Sequence, residues 1–175
     1  MTSPHPHIVR ALALSALLAS LSLRSGSYAN ASVPATPNCQ SAQLTLTRGS
    51  RHVVAHVTYT ALVITNRAAT CALWGVPAIQ PVGATHRPLG PFARSLSMGE
   101  MPLRHVIARG VSVSVSFGVT NTMSIPDSNC HAARAEGVIV ALGSFFTKRF
   151  LSMPLLVCTT SASTTTRLLA PGTKG

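Results

Sequence analysis

The chain has 175 residues, of which 14 are Lys or Arg and only three are Asp or Glu, a formal charge of +11. That length suits one domain with a real core and excludes a large multidomain assembly. Three carboxylates leave little material for catalysis by positioned acid–base pairs.

Residues 1–10 are polar and end in Arg10, and residues 11–23, ALALSALLASLSL, form an apolar run. Arg24 and small residues follow, with Ala29 and Ala31 at an A-x-A spacing. This is the pattern of a secretory signal peptide. Cleavage is expected after Ala31, with Ala29 as the alternative. The apolar run is short of the roughly 20 residues that span a bilayer, and an uncleaved anchor is the competing reading. No cysteine directly follows the run, as a lipid anchor would require. Later apolar stretches are interrupted by Arg, His, Pro or alternating Ser and Thr, so no transmembrane segment is expected after cleavage. Loss of Arg10 and Arg24 leaves twelve basic residues against Glu100, Asp127 and Glu136, a formal charge of +9. Such a field attracts polyanions, although the bases are dispersed and only Lys148 and Arg149 adjoin.

All four cysteines, Cys39, Cys71, Cys130 and Cys158, follow the leader. An even count in an exported chain implies two disulfides. Spacing alone allows any of the three pairings. The absence of a C-x-x-C pair gives a zinc site or a redox motif little support.

Residues 32–38 read as a flexible leader. Beyond them the dominant period is two, the mark of half-buried strands. Leu44 and Leu46 alternate with Thr45 and Thr47, and RGS at residues 48–50 reads as a turn. Residues 53–65, VVAHVTYTALVIT, read as one long strand, because Val, Ile and Thr disfavour helix. Residues 72–82 form a second strand bent at Gly75-Val76-Pro77, and Pro77 assigns it to an edge or a bulge. Residues 83–101 read as loop with one short strand. Residues 103–108 are a weak strand, and Arg109-Gly110 a turn. In residues 111–119, VSVSVSFGV, the five residues Val111, Val113, Val115, Phe117 and Val119 are expected inward, with Ser112, Ser114 and Ser116 facing solvent. Residues 131–136 could hold one helical turn. Residues 138–142 and 150–157 read as strands, and 159–166, TTSASTTT, as a spacer or an exposed edge. Leu168 and Leu169 would close the last strand. Seven to nine short strands and no amphipathic helix define an all-β sandwich.

Several of these features recur together in one family. CQSAQL at residues 39–44, Thr65-Asn66, CALWGVP at 71–77, IARG at 107–110 before the alternating strand, and the late Cys130 and Cys158 follow one another in the order seen there. On them the chain resembles the secreted actinobacterial domain of unknown function 4232. Val76 stands where an aromatic is usual and Ile107 where Leu is usual, both apolar replacements. The resemblance implies an immunoglobulin-like sandwich without established activity. It also implies sequential pairing, Cys39 with Cys71 and Cys130 with Cys158. The domain is expected over residues 39–171, after a signal peptide at 1–31 and the leader at 32–38, and before a tail at 172–175.

Candidate chemistry is sparse. His131 with Asp127 or Glu136 is the one imaginable hydrolytic dyad, and no G-x-S-x-G elbow occurs. His52 and His56, four apart on one strand, would sit about 13 Å apart at 3.3 Å per residue, too far to share an ion. No metal or other cofactor is expected. Nucleic-acid binding is disfavoured by export and by aromatics placed within strands. Trp74 reads as core packing or a binding platform. In residues 143–150, GSFFTKRF, Phe145 and Phe146 cannot both point inward along a regular strand. Either one ring stands exposed beside Lys148 and Arg149, or, as the favoured reading has it, both rings fold back in a hairpin. The expected role is a non-enzymatic, monomeric, secreted or cell-wall-associated module that binds a cell-envelope protein or anionic glycopolymer. A cryptic hydrolase and a purely structural envelope protein are the alternatives.

Overall fold

The structure, a computed structural model, describes residues 35–175. The expected signal peptide, residues 1–31, lies outside the described residues. Eleven strands form where seven to nine were expected, the surplus being two-residue ladders. They are β1 (Leu44–Val54), β2 (Val57–Asn66), β3 (Cys71–Leu73), β4 (Ala78–Val82), β5 (Arg94–Ser95), β6 (His105–Ile107), β7 (Ser112–Thr120), β8 (Ala132–Leu142), β9 (Phe146–Cys158), β10 (Thr164–Thr166) and β11 (Ala170–Pro171). One sheet has the order β1-β2-β7-β10-β5, with β11 also on β7; the second is β4-β8-β9; β3 and β6 form a two-stranded ladder. Leu62, Ile64, Val113, Val115 and Phe117 of the first sheet share one core with Ile79, Val138, Val140, Leu142 and Phe146 of the second, and Leu73 and Ile107 of the third. The architecture is all-β and sandwich-like.

Both implied disulfides are present, Cys39–Cys71 and Cys130–Cys158, each with Cα atoms 4.8 Å apart. The first ties the segment before β1 to β3, and Cys39 N–H donates to the Ala72 carbonyl at 2.9 Å. The second joins the start of β8 to the end of β9, where Ala132 pairs with Cys158.

Several local expectations are corrected. The run 53–65 is two strands, because the chain reverses at Ala55-His56, with Ala55 at φ 50°. RGS is not a turn but a bulge within β1, the register shifting between Arg48 and Arg51. The helical turn at 131–136 does not form; Ala132–Leu142 is strand throughout, paired to both β4 and β9. TTSASTTT is neither spacer nor exposed edge. Its β10 lies between β7 and β5, with Ser163, Thr164 and Thr166 buried. Of the alternating strand, Val113, Val115 and Phe117 are buried as expected, but Val111 is exposed and Ser114 is fully buried. Ser114 is covered by residues 172–175: Gly175 N–H donates to its Oγ at 2.8 Å, and Gly172 N–H donates to the Ser112 carbonyl at 3.0 Å.

Candidate functional site

The aromatic–basic stretch near residue 146 is built into the frame. Phe145 and Phe146 are both buried, at 7% and 0% exposure, so both rings fold back from the hairpin between β8 and β9. Trp74 is half-buried and meets Phe145 edge-on, ring centroids 4.3 Å apart, with the Arg104 guanidinium 5.6 Å over its ring. Arg149 lies 5.6 Å over Phe146 and donates to the Ser41 carbonyl at 3.1 Å. The Ser41 and Thr147 hydroxyls share a hydrogen bond at 2.9 Å. These contacts clamp the approach to β1 against the start of β9. Lys148 and Arg149 both remain exposed there.

Of the other sequence candidates, His131 and Glu136 are not brought together, nor are His52 and His56 on one strand. His131 is exposed, and its backbone rather than its ring is engaged, the carbonyl accepting from Thr159 N–H at 3.0 Å. Since β8 is extended, Glu136 lies roughly 16 Å farther along the chain at 3.3 Å per residue. His52 and His56 do not share one strand; His52 stacks on Tyr59, with centroids 5.4 Å apart. Among the described residues no group of three or more His, Cys, Asp or Glu is arranged to hold a metal ion.

A groove that the sequence did not announce opens elsewhere. β1 and β9 are edge strands of facing sheets, clamped together near Ser41 and Thr147. Beyond the clamp a cleft of about 730 Å³ is lined by residues of both. Cross-strand partners share a face. Arg48 pairs with the core residue Leu62, Arg51 with Thr60, and Val53 with Thr58. These three side chains of β1 are therefore on the core side of their sheet. They line the groove with Val119, His56, Met153, Leu155 and Leu156, and no carboxylate is among its lining residues. Val53 is 64% exposed, against 2% for Leu44 at the other end of the same strand. Two arginines and an apolar floor without a neutralising acid form a site suited to an anion that also carries an apolar part. The available signal was faint: Arg48 and Arg51 could be placed on the inner face only once the bulge between them was known.

The features of the resemblance, by contrast, are structural. Asn66 is fully buried; its Nδ2 donates to the carbonyls of Ala69 and Ile107, both at 2.9 Å, and its Oδ1 accepts Ala68 N–H at 3.0 Å. Gly110 N–H donates to the Asn66 carbonyl at 2.8 Å from a backbone at φ 82°, a conformation that favours glycine. Thr65 Oγ1 and Ser112 Oγ lie 2.8 Å apart.

Stapled sheets, a buried asparagine joining two turns, and an open cleft along one flank describe a small disulfide-bonded β-sandwich-like domain. The family model of the domain of unknown function 4232 matches residues 39–170, and the chain belongs to that family. Neither the curated proteins nor the solved structures hold a match to this chain. No helix of the described residues is long and apolar enough to cross a membrane.

Proposed function

We propose that this protein is an exported, non-enzymatic binding module that holds an anionic partner, a protein or a glycopolymer of the cell envelope, in the groove between β1 and β9. The observation that carries the reading is the placement of Arg48 and Arg51 on the groove face with no carboxylate in the lining. The excess of basic over acidic residues along the whole chain supports it by steering anions toward the surface. Export is supported by the leader pattern and by two disulfides, which persist in oxidising compartments.

The test is retention of the purified protein on an anionic envelope fraction across a salt series. Electrostatic attachment should fade as the screening length falls from about 10 Å at 0.1 M salt to about 3 Å at 1 M. The charge-reversed double variant Arg48→Glu/Arg51→Glu should elute at lower salt than the natural protein. Equal retention of the two would remove the groove from the reading.

A further inference from the structure

We propose that the occupant of the groove is an extended acidic segment of a partner protein, added as a new strand to the free edge of β1. The inference rests on the anionic-partner reading and assigns the chemistry of that partner.

β1 is eleven residues long and, among the described residues, pairs on one side only, with β2. The outer side of such an edge presents backbone N–H and C=O groups to any extended chain. Of the two edges flanking the groove, β9 carries Pro154 within the lining, which cannot donate. β1 has no proline between Leu44 and Val54. The bulge between Arg48 and Arg51 interrupts the template, and beyond it Arg51, His52, Val53 and Val54 pair without a shift to Thr60, Tyr59, Thr58 and Val57. This stretch is also where apolar side chains stand in solvent, Val53 at 64% and Val54 at 57% exposure.

The side chains then specify the guest. Successive residues of a strand alternate faces. Arg51 and Val53 look into the groove, and His52 and Val54 look outward. A guest strand fits if an Asp or Glu lies opposite Arg51 and an aliphatic residue lies opposite Val53. Those two guest residues are two apart in sequence and share one face. The aliphatic chain enters the cleft against Met153, Leu155 and Leu156. A second copy of this chain is a poor guest: it carries three acids in all, and its own β1 would set arginine against arginine, which is destabilising for directly opposed like charges. A glycopolymer would meet the arginines but has neither the apolar side chain for the cleft nor the regular amide ladder for the edge. Charge on β1 thus repels self-association and admits an acidic strand.

The experiment titrates the exported protein, isotopically labelled, with three end-blocked eight-residue probes and follows backbone amide signals by NMR. The first probe has Asp and Ile two apart in a threonine background. The second replaces Asp by Lys. The third is the first with alternate backbone nitrogens methylated. The expected result is that the first probe shifts the amides of Arg51 to Val54 and newly protects the alternate ones that face away from β2, and that the other two bind roughly tenfold or more weakly. In Arg51→Glu the preference should reverse toward the Lys probe. Equal binding of the methylated probe overturns strand addition. If an envelope glycopolymer perturbs Arg48 and Arg51 while no peptide perturbs β1, the peptide inference falls and the anionic-partner reading stands. If neither binds, both fall. A concentration-dependent dimer that protects those outward amides makes the occupant a second copy and also overturns the proposal.

Discussion

The two ends of β1 behave as parts of different molecules. At its start, Leu44 is buried at 2% and the chain just before it is fixed by the Cys39–Cys71 disulfide, by Cys39 N–H on Ala72, and by the Ser41–Thr147 contact. At its end, Val53 and Val54 stand in solvent beside Arg51 and an open cleft. The first end spends its residues on order. The second leaves backbone groups, charges and apolar surface unused by the fold. The open end is itself held to β2 beyond the bulge, where Arg51, His52, Val53 and Val54 pair with Thr60, Tyr59, Thr58 and Val57. Recognition surfaces on small domains are commonly of this kind, carried by segments that a rigid scaffold positions.

The sharpest way to break the anchored end is to remove its staple. The pair Cys39→Ser/Cys71→Ser opens a loop with sequence separation 32. The expected loss is about 3–4 kcal/mol in the chain-entropy model, read as a lowered urea midpoint. That is a large share of a total stability of about 5–15 kcal/mol. Breaking Cys130–Cys158, with separation 28, should cost a similar amount. An unchanged midpoint in the first variant would mean that β3 and the segment before β1 are held by backbone pairing alone.

Next in size is Asn66. Asn66→Ala removes the partner of the buried Ile107 carbonyl and of the part-buried Ala69 carbonyl and Ala68 N–H. An unpaired buried polar group costs about 1–3 kcal/mol, and the two part-buried groups can turn to water, so a loss of about 2 kcal/mol is expected from chemical denaturation. Asn66→Asp sharpens the point: its shape is kept, but an acceptor replaces the donor facing Ala69 and Ile107. It should destabilise at least as much as alanine. A mild effect would show that packing, not hydrogen bonding, fixes the two turns.

Much of the anchored half was legible because its signals are local. Period-two alternation in residues 111–119 placed Val113, Val115 and Phe117 in the core, and the resemblance supplied the disulfide pairing. What failed did so through distant partners. Ser114 looks solvent-facing by alternation and is buried because residues 172–175 fold over it. Residues 131–136 carry good helix formers, but Cys130 is tethered to Cys158 and β9 supplies a ladder, which overrides propensity. The reversal at Ala55-His56 lacks the Asn-Gly or Asp-Gly signature of tight hairpins. The RGS triplet, which has a turn's composition, became a bulge in which an added Cβ at Gly49 would stand 2.8 Å from the Thr173 carbonyl. The groove was the least legible feature. Its walls are about 100 residues apart in sequence, on two edges that only the folded sheets bring together. Phe145 and Phe146 are both buried, as the folded-back hairpin reading of GSFFTKRF expected.

A smaller loss is expected at Gly110. Nothing lies within 4 Å of a Cβ built there, so Gly110→Ala isolates the cost of holding φ 82° without glycine. That cost should be about 1 kcal/mol, or a drop of a few degrees in Tm. A larger loss would mean that the turn also shifts the Gly110–Asn66 hydrogen bond, tying this prediction to the previous one.

The smallest stability change belongs to the open end. Arg48→Glu/Arg51→Glu alters exposed side chains on an edge strand, and surface substitutions away from structural contacts usually stay within about 0.5 kcal/mol. The melting curve should therefore be almost unmoved while retention on an anionic matrix falls. That dissociation of stability from binding is what separates a recognition edge from a structural one. If the two arginines instead served the fold, for instance by holding the bulge between them, the double variant would lose both stability and retention, and the contrast between the two ends of β1 would collapse. Arg48→Lys/Arg51→Lys completes the comparison: it keeps the charge but removes the planar guanidinium fork suited to bidentate carboxylate binding. It should keep the salt-sensitive retention on polymer and weaken discrimination for an acidic strand.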